Sequence, residues 1–424
     1  MVAVLSRELP GVLRDPVYRR LFAAQVVALA GTGIATVALG LMAYELAGPD
    51  AGLVLGGVFA VKMIAYVLLA PVASAALALV PRRTVMIGAD IARLAVALVL
   101  PFVGEVWQVF VLVFLLQAAS AAFTPTFQSV IPQILPREKD YTQALSLSRL
   151  AYDLEAIVSP LLAGVLLMVV TASTLFVGTA LGFAASALLV LTSALPRRLG
   201  LTSPGGSTAP TQSFGARATA GVALFWRTAS LRPVLALNLV VAAAGALVLV
   251  QTVPIVRSEL SLSPTSVALF LALNGAGSMT GALALPRLLR TVSERRVMLT
   301  SAALLVLATT VSAVALTAPG PGTGALVAAT WLLIGLGWAG VETPVGRLLR
   351  RSVSSEDLTA AFAGQFSLSH ACWLVTYPVA GLLGRPGPAY AAAGLALIAG
   401  AGLALGTLAW RPVRSTRPRP QEPA

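Results

Sequence analysis

Long runs of apolar residues, broken by short polar and arginine-bearing segments, occupy almost the whole chain from about residue 21 to residue 410. Runs long enough to cross a bilayer, which takes roughly 20 residues of helix, fall at 21–46, 52–79, 84–104, 107–130, 142–170, 173–195, 233–256, 265–289, 297–317, 323–348, 358–383 and 388–410. The pattern predicts an all-α polytopic membrane protein with twelve transmembrane helices. Proline or polar residues interrupt the fourth, tenth and eleventh runs, which is tolerated where a neighbouring helix satisfies the freed backbone groups. The runs do not alternate polar and apolar residues in short segments, so an outer-membrane barrel is excluded. No small-residue cleavage site follows the first run, which therefore reads as a helix and not as a signal peptide.

The polar breaks carry the topology. Numbered from a cytoplasmic N-terminus, 24 of the 29 Lys and Arg residues fall in segments on the cytoplasmic side, among them Arg82 and Arg83. Only Arg257 and Arg385 fall in external loops. The positive-inside rule then puts both termini in the cytoplasm of a cell whose inner (plasma) membrane holds the chain. The longest break, Pro196 to Arg232, contains SPGGSTAPTQS and a basic, partly amphipathic piece around Phe225 and Trp226. It reads as a cytoplasmic linker. The chain thus divides into a six-helix bundle (1–195), the linker (196–232), a second six-helix bundle (233–410) and a basic cytoplasmic tail (411–424).

The two halves echo each other. Arg82-Arg83-Thr-Val-Met opens the third run and Arg295-Arg296-Val-Met-Leu the ninth; Phe123-Thr-Pro and Glu342-Thr-Pro end the fourth and tenth. Asp140-Tyr-Thr-Gln-Ala and Asp357-Leu-Thr-Ala-Ala open the fifth and eleventh. A parallel repeat of this kind implies a pseudo-two-fold axis along the membrane normal and a substrate site between the halves.

Composition agrees with this picture and narrows the function. Hydrophobic residues make up 58% of the chain, charged residues 11%, and the mean hydropathy is +0.89. The net charge of +13 is accounted for by topology signals and lipid headgroup contacts, without nucleic acid. One cysteine, Cys372, and one histidine, His370, leave no disulfide and no zinc module. No phosphate loop, nucleophile elbow or dinucleotide fingerprint is present. The chain reads as a non-enzyme without a cofactor. The Gly-rich pieces around Gly275–Gly281 and Gly335–Gly340 lie inside apolar runs and read as helix-packing positions.

Six plus six helices, a basic central linker and Arg82-Arg83 after the second run resemble the major facilitator superfamily over about residues 15 to 410. The most specific match is in the fifth run. The exporters of that family carry a GxxxGPxxGG motif there, and this chain reads Glu155-Ala-Ile-Val-Ser159-Pro160-Leu-Leu-Ala163-Gly164. Ser159, Pro160, Ala163 and Gly164 fit; Glu155 replaces the first glycine. The family's glycine, aspartate and first basic positions in the loop after the second run are here Ser74, Ala78 and Leu79. Another acid would then serve the gate, with Asp90 and Arg93, or Arg149 and Asp153, as candidates. The resemblance implies a monomeric, proton-coupled exporter.

Ionisable groups at mid-membrane cost about 2.5–3.5 kcal/mol each on insertion scales, so each is a functional hypothesis. Lys62, Asp153, Glu155 and His370 all lie near the middle of their runs. Arg149 and Asp153, four residues apart, suit an intrahelical ion pair. Glu155 shares a helix face with Ser148, Tyr152 and Ser159 and is the favoured proton carrier, ahead of Asp153 and His370. Lys62 reads as a structural partner for Glu155 or Asp153, as a gate, or as an anchor for an anion. Tyr66, Tyr152, Asn274, His370 and Trp373 complete the candidate substrate cavity. His370 and Cys372 suggest a soft metal, but two residues apart on a helix they point in nearly opposite directions, so no metal site is assigned. The expected function is export of small amphipathic molecules. A nickel- or cobalt-type metal exporter, an exporter of anionic metabolites and a non-transporting scaffold or sensor are the alternatives.

Overall fold

A computed structural model describes residues 11–65, 80–193, 195, 222–353 and 358–410. Twelve long helices run through them: α1 (Pro16–Ala47), α2 (Ala51–Ile64), α3 (Arg82–Val99), α4 (Val106–Ile134), α5 (Glu138–Leu166), α6 (Leu175–Thr192), α7 (Arg232–Pro254), α8 (Pro264–Leu288), α9 (Glu294–Thr317), α10 (Thr323–Glu342), α11 (Leu358–Leu383) and α12 (Pro388–Ala409). The chain is a multi-pass membrane protein of the architecture that its sequence predicts. Most of the expected linker, the whole tail and Tyr66 lie outside the described residues.

Helix ends follow local chemistry more than hydropathy. Asp15 caps α1 by accepting from the backbone N–H groups of Val17 and Tyr18, with Pro16 in the first turn. The fifth helix begins at Glu138, four residues before its apolar run, because Glu138, Lys139 and Asp140 form a polar first turn. There Arg137 pairs with Asp140 at 2.7 Å. The expected tenth span, 323–348, is interrupted at Thr343-Pro344, where α10 ends and a short helix, Val345–Ser352, follows. Proline cannot donate to the ladder, so the break falls where the sequence puts Pro344.

The repeat is visible in which helices pack together. In the first half α1 packs on α5 and α6, α3 on α4 and α6, and α2 on α4; in the second, α7 packs on α11 and α12, α9 on α10 and α12, and α8 on α10. Each pair in one half has its counterpart in the other. Even the polar bonds repeat: Ser148 of α5 donates to Gln25 of α1 at 3.0 Å, and Gln365 of α11 and Asn238 of α7 exchange two bonds at 3.1 and 3.3 Å. All four side chains are buried. The closest backbone approach joins α8 to α10. A Cβ on Gly277 would lie 1.9 Å from the Leu332 carbonyl oxygen, and one on Gly335 1.9 Å from that of Asn274. Only glycine fits, as expected where membrane helices associate through small residues.

Between the halves, α2 packs on α11 and α5 on α8, again a symmetric pair. Contact is tight at the end of the bundle remote from Pro16 and Ala409, here called the far end. Gln251 of α7 is fully buried there, between Gly52 of α2 and Gly384 beyond α11, and donates to the Ala380 carbonyl at 2.7 Å. Gly40 of α1 abuts Val253 of α7, and Gly56 of α2 abuts the backbone of Tyr377 and Gly381 in α11. Arg385 pairs with Asp50 at 3.2 Å, and the Arg257 guanidinium lies 5.5 Å from the Tyr44 ring centroid.

Candidate functional site between the halves

The α1–α5 seam sets the first half of the site. Tyr18 donates to the Ala144 carbonyl at 3.2 Å, Gln25 meets Ser148, and Gly33 faces both Ser159 and Glu155. A Cβ on Gly33 would lie 2.2 Å from the Ser159 Cβ and 2.4 Å from a Glu155 carboxylate oxygen. The missing side chain at Gly33 is what admits a half-buried carboxylate to the middle of the bundle. Ser159 and Ala163 are buried, Pro160 is buried beside Ser159, and Gly164 reaches across to Ala268 of α8. The motif in the fifth helix therefore faces α1 at one point and the opposite half at another.

Lys62 of α2 lies close enough to act electrostatically on Glu155 in its own half and on His370 of α11 in the other. Lys62 thus relates two of the predicted groups that belong to opposite halves. Beside Lys62, a cavity of about 20 Å³ is lined by Thr32, Thr36, Gln117 and Phe59. That is room for a single water. His370 Nδ1 sits 2.7 Å from the Phe366 carbonyl oxygen, and its ring lies on Phe366 with centroids 3.9 Å apart. Aromatic rings continue along α11. Trp373 stands 5.1 Å from Trp338 of α10 and 5.1 Å from Tyr377, and Tyr377 stands 5.0 Å from Phe59 of α2. Gly245 of α7 leaves room for both tryptophans.

Other predicted residues sit elsewhere. Asn274 donates to the Trp331 carbonyl at 3.1 Å and serves the α8–α10 packing. Asp90 and Arg93 form a buried ion pair within α3; Ser186 of α6 donates to Asp90 at 2.8 Å. The Arg93 guanidinium lies between the Phe123 and Phe183 rings, 4.4 and 4.6 Å from their centroids. All of these belong to the first half. Arg83 and Arg20 donate to the Leu191 and Thr192 carbonyls at the end of α6, where helix carbonyls lack partners and the dipole favours cations. Arg82 lies beside Arg83 in the first turn of α3. Cys372 is half-buried, within electrostatic reach of Glu342. Among the described residues no three His, Cys, Asp or Glu converge as a metal site. The side chains of Arg149, Tyr152 and Asp153 lie outside the described residues.

Sequence reading missed the far-end contacts and the aromatic row. The signal was present for Arg257 and Arg385: they are the exceptions to a strong positive-inside bias, and both reach residues of the first half.

The family profile described as Major Facilitator Superfamily matches residues 21–309. No curated protein matches the sequence. Among solved structures, the nucleoside transporter NupG aligns at 14% identity over 93% of this chain and 98% of its own, with a TM-score of 0.65. The peptide transporter POT in complex with sulfate aligns at 14% over 93% and 94%, with a TM-score of 0.68. A bacterial homolog of the human lysosomal transporter Spinster, in an inward-facing and unoccupied conformation, aligns at 14% over 95% and 96%, with a TM-score of 0.66.

Proposed function

Because the chain belongs to the major facilitator superfamily, we propose that it is a proton-coupled transporter that exports small amphipathic organic molecules by alternating access. The observation that supports this reading is that Lys62 lies within electrostatic reach of Glu155 in one half and of His370 in the other. The distribution of arginines supports a plasma-membrane protein with both termini, the 196–232 linker and the 411–424 tail in the cytoplasm. The closed far end is then external, and the described conformation is the one that faces the cytoplasm. Asp90, Arg93, Arg82 and Arg83 move with the first half as one body, while the far-end contacts part when the cavity turns outward.

Coupling follows from charge balance. A buried ammonium near a buried carboxylate is tolerable while both stay charged. A proton on Glu155 removes the negative partner of Lys62 and disfavours the arrangement in which the two face each other. Substrate entry from the cytoplasm and proton entry from outside then favour opposite states, which links their movements. The substrate passes between the halves of one chain, so a monomer suffices.

The test is Glu155→Gln in inverted vesicles under an imposed pH gradient, with a panel of lipophilic amines and neutral heteroaromatic compounds. Gradient-driven movement should be lost while compounds still bind. Wild-type rates for Glu155→Gln across pH 6 to 8 would overturn the assignment.

A further inference from the structure

Phe366, His370, Trp373 and Tyr377 follow one another at i, i+4, i+7 and i+11, so they share one face of α11. That face looks across the interface. Tyr377 is seated on Phe59 and Gly56 of the opposite half, and His370 lies within reach of Lys62. The two ends of the row differ in exposure: Tyr377 is 5% exposed, Trp373 and His370 are half-buried, and Phe366 is 45% exposed. The row is thus a wall sealed at its Tyr377 end and bare at its Phe366 end. Trp338 widens the same wall from α10. The first half differs in chemistry: Thr32, Thr36 and Gln117 surround Lys62 there, and Lys62 lies within electrostatic reach of Glu155.

We propose that the α11 row is a stacking surface for a planar aromatic substrate, held with its ring against Trp373, His370 and Phe366 and its polar end toward Lys62 and Glu155. The inference deepens the transport reading and rests on the interface being the substrate path. Ring faces select planar partners, because offset stacking requires parallel approach and adds to area burial. An aliphatic wall of equal area would accept any apolar shape.

The test uses the full-length protein in lipid nanodiscs with no ion gradient. Acridone, neutral and planar, is followed by its own fluorescence; 1-adamantanecarboxamide, neutral and compact, is measured by competition. Wild type should bind acridone at least about tenfold more tightly, the range that a ring contact supplies. Trp373→Leu should weaken acridone about tenfold, and Trp373→Phe should recover most of that loss. Trp373 also packs against Gly245, so Phe366→Leu, at the bare end of the row, provides a variant with unchanged thermal unfolding and severalfold weaker acridone binding. Equal affinities for the two probes, no acridone binding by wild type, or equal losses in the Leu and Phe variants would each overturn the proposal. Acridone binding without any proton-linked transport would instead refute the transport reading alone.

Discussion

Gly56→Ala should open the far end. A Cβ at position 56 would stand 2.5 Å from the Tyr377 carbonyl oxygen and 3.3 Å from Gly381 Cα. Both obstacles are backbone, so no rotamer change relieves the clash, and α2 must part from α11. Overpacking of this kind costs about 1–3 kcal/mol. The cost falls only on the state in which the two helices touch there, so nearly all of it enters the equilibrium between far-end-closed and far-end-open states. At about 1.4 kcal/mol per factor of ten, the open state gains roughly 5- to 150-fold. Spin labels at positions 50 and 385, in a background with Cys372→Ser, report the spacing of the two far-end loops by pulsed double-resonance spectroscopy. The distribution should gain a long-distance population in Gly56→Ala. Gly88→Ala is the control, since a Cβ there meets nothing within 4 Å. An unchanged distribution in Gly56→Ala, or an equal change in Gly88→Ala, would refute the account of the far end as the closed gate.

Three further outcomes follow from the charges. Arg93→Met strands Asp90, which is fully buried, and should cost about 3–5 kcal/mol in thermal unfolding; adding Asp90→Asn should restore much of it. Lys62→Met should lower stability and export severely, and Lys62→Met with Glu155→Gln should recover expression, because removing two opposite charges from a partly buried place costs less than stranding one. Full export by Lys62→Met alone would remove Lys62 from the coupling scheme. Asp50→Asn should change export rates by less than about fivefold, since the Asp50–Arg385 side chains are 48% and 65% exposed and such pairs contribute about 0–1 kcal/mol.

Hydropathy sufficed for the helices because each span must satisfy its own backbone bonds in lipid, and such helices are written as continuous apolar runs. Partners are a different matter. Nothing in Gln25, Asn238, Ser148 or Gln365 says which helix each one meets, because a hydrogen-bonding side chain on a helix carries no address. Asp90 and Arg93 illustrate the same limit: the sequence offered them as gate candidates, and the structure shows an ion pair enclosed by the Phe123 and Phe183 rings of α4 and α6. Lys62 was legible only as needing a nearby acid, Glu155 or Asp153, because a charge at mid-depth has few other ways to be tolerated.

The fold also settles a register that sequence matching leaves open. Matching Ser146-Leu-Ser148 to Ser367-Leu-Ser369 sets His370 opposite Arg149, and matching Pro160 to Pro378 sets it opposite Tyr152. The buried polar bonds choose by function instead of letter. Gln25 and Asn238 occupy equivalent places 213 residues apart on α1 and α7, and their partners Ser148 and Gln365 lie 217 apart on α5 and α11. The same 217 separates Asp140 from Asp357 in the sequence. Carried up the helix, that offset sets His370 at the position equivalent to Asp153, one turn from a hydrogen-bonded seam in each half. The repeat therefore gives equivalent helix positions an acid in one half and a base in the other. Because the first half adds Lys62 and Glu155 while the second adds the aromatic row, the interface is symmetric in backbone and asymmetric in charge.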